Sequence, residues 1–190
     1  TLVTQNQNIL LENKEMREMV KDIIPKIGNN TTINKFNLNV FLNEECKDAI
    51  NLTDFVETLK LEFDDLDNTR ENGYVTGITN IFVRGLRELD FNKRPIHCSD
   101  LKREVLYVKD NNIWEKDNNE KDKLKKALAV VSKRQINKIK EWERNYPDWE
   151  KTEEGTANYI DMVKNLTQHT DIENENKIIK TIAKEVIIDK

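Results

Sequence analysis

The stretch KRPIHCSDLKREVLYVKDNNIWEKD, residues 93–117, decides how this chain is read. EVLYV, residues 104–108, is β-branched and aromatic, and IWEKD follows after Lys-Asp-Asn-Asn. Asn and Asp tolerate the left-handed backbone of a tight hairpin turn. The spacing therefore predicts a β-hairpin over 104–116, flanked by helices on both sides. Ser99-Asp100 reads as the cap of a single turn ahead of it.

Outward from that hairpin the pattern is helical. Val75, Ile78, Phe82, Leu86 and Leu89 share one helical face, with Asn80, Arg84 and Arg87 turned away. Asn72-Gly73 separates this helix from an earlier one, which Asn51-Leu-Thr-Asp54 caps and which runs through Phe55, Val56, Leu59, Phe63 and Leu66. NLNVFLN, residues 37–43, alternates briefly and predicts a short strand, with Asn43 capping a helix behind it. Downstream, 119–145 is a long helix whose apolar face carries Leu124, Leu128, Val131, Ile139 and Trp142, with Gln135 in its middle. Pro147 ends it, and helices over about 156–168 and 173–188 complete the pattern. The last carries Ile178, Ile179, Ile182, Val186 and Ile187.

The first 24 residues follow another period. Leu2, Ile9, Met16 and Ile23 recur every seven, and Asn6, Asn13 and Val20 fall four after the first three. Together they form an a/d seam, the pattern of a coiled coil. Its two Asn lower stability but fix register and strand number. The alternative is an amphipathic helix packed on its own domain. The division expected is a coiled-coil oligomerisation helix over 1–27, a polar linker over 28–35, and a helical domain with one hairpin over 36–190. The fold class is thus mainly α, with an N-terminal coiled-coil helix and one small β-hairpin.

Composition narrows the function. The chain has 190 residues, 37% hydrophobic and 35% charged, which suits an elongated or oligomeric helical protein better than a compact enzyme. Its net charge of −4 excludes a globally basic nucleic-acid binder. No apolar run approaches the ~20 residues a membrane span needs. Two distant cysteines, Cys46 and Cys98, predict reduced thiols in a cytosolic compartment. The chain opens at Thr1 rather than Met, which predicts a fragment of a longer protein.

His97-Cys98 invites a zinc reading, but structural zinc takes four ligands, usually in closely spaced pairs. Cys46 and His169 are each alone and far off, so neither a metal nor a cofactor is expected. Neighbours on a strand point to opposite sides, which also argues against a Cys-His catalytic pair. Gly-rich phosphate loops, HExxH and GxSxG are all absent, so no catalytic residue is assigned. A nucleic-acid surface is the sharper alternative. Residues 120–145 carry nine Lys/Arg against four Asp/Glu, and Lys126, Lys133 and Lys140 line the face opposite the apolar one. Arg94, Lys102, Arg103 and Lys109 surround the hairpin, a layout like that of a winged helix. The three Trp read as anchors of the core or of a partner groove.

FNLNVFLNEECKDAINLTDFV (36–56), the stretch 93–117 and the closing IAKEVIIDK (182–190) resemble a family of uncharacterised proteins of giant DNA viruses of the mimivirus type. Members often carry a C2H2-like zinc finger, a coiled coil and then this C-terminal domain. The resemblance covers nearly all of the chain. It implies a viral, multi-part protein of the infected-cell cytoplasm, a viral factory or the virion, and no activity to carry over. The finger itself is missing, because the chain has no CxxC…HxxxH spacing. The expected function is a self-associating interaction or scaffold module, a homo-oligomer without membrane contact. A DNA- or RNA-binding regulator is the alternative.

Overall fold

A computed structural model describes residues 36–167 and 172–189. The heptad seam of 1–24, the linker 28–35 and His169 lie outside the described residues.

The fold is mainly helical, with one three-stranded antiparallel sheet in the order β1-β2-β3. Helix α1 is Leu52–Thr58 and α2 is Phe63–Arg87. The strands are β1, Ile96–Asp100, β2, Val105–Asp110, and β3, Ile113–Lys116. Helices α3, Asp122–Asn145, α4, Glu153–Leu166, and α5, Ile172–Glu185, follow. Asn37–Lys190 is one compact unit.

The α2 span is two antiparallel arms, 63–72 and 74–87, joined by Gly73 at φ 80 and ψ 167. That backbone region is open essentially to glycine alone. The reversal brings Asn80 onto Asn68 at 3.2 Å and Arg84 onto Asp65 at 2.6 Å. Gly77 lies against Thr69, so closely that a Cβ there would stand 1.9 Å from the Thr69 hydroxyl. The Asn72-Gly73 break read from sequence is therefore a hairpin of helices.

A second break was not expected. The helix that opens at Asn51 stops at Thr58, and a new one starts at Phe63. Glu62 and Asp65 form a reciprocal capping box at the new start. Arg134 of α3 donates to the Val56 carbonyl and, at 2.7 Å, to the Leu59 carbonyl, satisfying the C-terminal end of α1.

The hairpin 104–116 is present as β2 and β3, with Asn111 and Asn112 both at positive φ between them. Two left-handed residues in a two-residue loop make a type I′ turn, whose twist matches the strands. Asn51 fastens this turn. Its side chain accepts from the Asn112 N–H at 2.8 Å instead of capping its own helix. The third strand is a correction to the sequence reading: Ile96–Asp100 pairs with β2, Ile96 opposite Val108 and Cys98 opposite Leu106. The expected turn follows it, with the Asp100 carboxylate accepting from the Arg103 N–H.

Ile96, Cys98, Leu106 and Val108 point into the main core, against Ile78, Phe82, Leu86, Leu124, Leu128, Val131 and the isoleucines of α5. A smaller core joins Leu66, Ile139, Met162 and Leu166, where the first arm of α2 meets α3 and α4. Gln135 of α3, fully buried, holds the first arm of α2 by donating to the Asp65 carbonyl and the Thr69 hydroxyl.

Both glycines of the α2 hairpin admit a direct check. Gly77→Ala forces a Cβ into Thr69, an overpacking cost of about 1–3 kcal/mol. Gly73→Ala has room but the wrong backbone, for a loss of about 1–3 kcal/mol. Each should lower the melting temperature by several degrees in a circular-dichroism melt. A melt unchanged or raised in both would refute the tight reversal.

Candidate functional site

The segment expected as a strand over 37–43 is instead helical, and this builds one candidate site. Asn37 caps the turn Leu38–Val40, its carboxamide accepting from Asn39 N at 3.0 Å. A π-turn, Phe41–Glu45, continues it. Asn43 caps nothing and donates to the Asn39 carbonyl. The result is a lid over the face of the sheet that looks away from the core. Under it, His97 is fully buried. Its ring centroid lies 5.0 Å from that of Phe41, 4.8 Å from Phe91 and 5.4 Å from Trp114. The Cys46 sulfur stands 3.5 Å from His97 Nε2, and Trp114 donates to the Cys46 carbonyl.

Burial, with a smaller push from Arg94, holds His97 at a pKa of about 4. Burial and the nearby Glu45 carboxylate push the Cys46 thiol up to about 11. At neutral pH the ring is uncharged and the thiol keeps its proton, and Sγ and Nε2 share a hydrogen bond whose direction follows the ring tautomer. Nδ1 has no hydrogen-bond partner among the described residues. Cys98 faces the other side of β1, in the core. Among the described residues no group of three or more His, Cys, Asp or Glu is gathered as metal ligands. This site is a closed aromatic box rather than an open pocket.

The residues read as a phosphate-binding surface do not converge. Lys109 is buried, its amine on the Lys47 carbonyl under the same lid, so it cannot reach a phosphate. Arg94 is largely enclosed. It donates to the Glu185 carbonyl at 3.0 Å and lies over the Phe91 ring. Lys102 and Arg103 are exposed in the β1–β2 turn, with Arg103 3.8 Å from Asp100. Lys126, Lys133 and Lys140 are exposed along α3, as their spacing requires. Lys126 shares a cleft with Asp110, at the far end of β2 from Lys102 and Arg103. Roughly 17 Å of strand lies between the two groups.

A third arrangement forms where α3 turns into α4. Trp142, Tyr146, Pro147 and Trp149 line a cleft of about 400 Å³, with Asn145, Asp148, Gly155 and Asn158. Thr152 caps α4 through the Gly155 N–H, and Gly155 lets the Trp149 carbonyl come closer than any side chain would allow. Trp149 stacks on Tyr159 at 4.0 Å, and Tyr159 donates to Glu143 at 2.6 Å. Trp142 lies 5.1 Å from Tyr146, whose ring is edge-on to Phe63. Tyr146 is 50% exposed. Sequence reading places Trp142 on the apolar face of its helix and Trp149, after Pro147, at a helix junction, but misses the cleft. Its signal is the crowding of WERNYPDW, residues 142–149.

No helix among the described residues is long and apolar enough to cross a membrane. No family model, curated protein or solved structure matches the chain.

The His97 box predicts an acid sensitivity. The folded-state pKa lies below the ordinary 6.5, so the unfolded chain binds the proton first. Stability is complete above pH 6.5 and falls as pH drops from there to about 4, by about 3 kcal/mol in all. Urea unfolding between pH 7.5 and 4.5 should show this slope, and His97→Phe should flatten it. An unchanged slope in the variant would assign the acid loss elsewhere.

Proposed function

We propose that the protein is a non-enzymatic interaction module that self-associates through residues 1–24 and presents a binding surface from residues 36–190. The observation that carries the interaction reading is the exposed aromatic cleft at the α3–α4 corner. The chemically reactive side chains support it too. His97, Cys46 and Cys98 are sealed inside the fold. Self-association rests on the heptad of Leu2, Ile9, Met16 and Ile23 with Asn6, Asn13 and Val20. Joining copies would present the cleft several times and raise avidity without new contacts. The resemblance adds a setting, a giant virus, with the protein in the infected-cell cytoplasm or the virion.

Light scattering on the full chain tests the assembly. A mass at a whole-number multiple of the monomer is expected, falling to the monomer in an Ile9→Lys/Met16→Lys variant. A monomeric mass for the unaltered chain would overturn self-association.

A second reading, nucleic-acid binding, is favoured by one observation, the exposed Lys126/Lys133/Lys140 line. It predicts binding to duplex DNA or single-stranded RNA whose log-log salt slope is about 0.9 or 0.7 per phosphate contacted. Replacing the three lysines by Glu should then abolish binding in fluorescence anisotropy. Absence of binding at low salt would discard it.

A further inference from the structure

We propose that the α3–α4 cleft binds a proline-rich segment in the polyproline II conformation, with a basic residue beside the prolines. The assignment rests on the interaction reading and narrows it to one ligand chemistry.

The rings come first. Trp142, Tyr146 and Trp149 all line the cleft and are held by packing rather than left free. Trp149 is stacked on Tyr159, and Tyr146 is braced by Phe63 and Trp142. A polyproline II segment is already ordered, has no internal hydrogen bonds and carries a ridge of flat rings. It therefore docks on fixed aromatic surfaces at small entropic cost. Donors come second. Such a segment offers carbonyls and no N–H from its prolines. The cleft offers the reverse. Among the described residues neither the Trp142 nor the Trp149 indole N–H has a hydrogen-bond partner, and Asn158 uses only its oxygen, accepting from Arg70 at 3.0 Å. Three donors thus line an aromatic cleft with no acceptor among the described residues.

Charge comes third and selects the flanking residue. Residues 141–161 hold seven acidic side chains against Arg144 and Lys151. Lys151 is taken by Asp148 at 2.6 Å, whereas Glu150, Glu153 and Glu154 are exposed with no ion-pair partner among the described residues. This field attracts a cationic peptide and repels a phosphate backbone. It separates the cleft from the lysine line of α3. At about 400 Å³ and open on one side, the cleft suits several residues of an extended chain better than a single methylated ammonium.

The test uses the full chain and a labelled peptide of eight prolines with two arginines at each end. Fluorescence anisotropy should show saturable binding, and intrinsic tryptophan emission should change with it. Tyr146→Ala should weaken binding at least tenfold while Tyr146→Phe retains it. Two peptide controls on the unaltered protein do not depend on any variant folding. Replacing the arginines by glutamates should weaken binding at least tenfold, and replacing the prolines by a Gly-Ser repeat should abolish it. No saturation by the proline peptide, or equal binding of the Gly-Ser peptide, would overturn the proposal. So would a ten-nucleotide RNA that binds and loses its affinity in Tyr146→Ala, which would turn the cleft into a base-stacking site. If the peptide fails while light scattering still shows an assembly, only the ligand assignment falls; if both fail, the interaction reading falls with it.

Discussion

One residue, Gly73, sets where almost everything else can go. Its left-handed, extended backbone folds α2 back on itself, so that Asp65 meets Arg84, Asn68 meets Asn80 and Thr69 meets Gly77. The two arms then present different faces. Leu66 on the first arm packs with Met162 and Leu166 of α4, and the second packs under the sheet and against α5. Helix α3 contributes to both cores, and its Gln135 is fastened to the first arm by reaching Asp65 and Thr69 at once. The Asp65–Arg84 pair adds little on its own, because the Arg84 side chain is 42% exposed and such pairs are worth about 0–1 kcal/mol. The close approach of Thr69 to Gly77 is the stronger constraint, since neither partner can grow without parting the arms.

The same economy of contacts governs the sheet. One face is ordinary core. The other is covered by a helical turn and a π-turn, and here polar groups are enclosed rather than excluded. His97, Cys46 and Lys109 each find one partner beneath the lid, and Trp114 closes it from β3. Burying such groups is costly unless they are bonded, so the box fixes a single arrangement of lid and sheet. Chemistry of this kind shapes the fold and is shut off from solvent.

Legibility in the sequence followed the strength of each local signal. Helix α3 was readable because its apolar positions keep one period over six turns, and its buried set includes Leu124, Leu128, Val131 and Ile139 as expected. The hairpin was readable because Asp-Asn-Asn marks a left-handed turn between β-branched runs. Strand β1 was missed. IHCSD has little β-branched character, and only its pairing with Leu106 and Val108 makes it a strand. The segment 37–43 was misread because its alternation is accidental. Phe41 and Leu42, adjacent in sequence, are both buried, which a strand with one covered face does not allow. The halt at Thr58 depends on Arg134, 75 and 78 residues away from the carbonyls it meets, and no local pattern carries that. At the corner cleft, residue types were visible but not the packing that fixes the rings.

The outer edge of β1 is not free. Cys98 donates to the Val186 carbonyl at 2.8 Å and accepts from the Ile188 N–H at 2.9 Å. An edge that would otherwise template pairing with a neighbouring chain is covered by residues made roughly ninety positions later. During synthesis, therefore, this edge emerges early and waits for its cover. Closing so long a loop is entropically slow relative to forming the hairpin beside it. The interval between the two is the time in which nascent copies on neighbouring ribosomes are most exposed to one another.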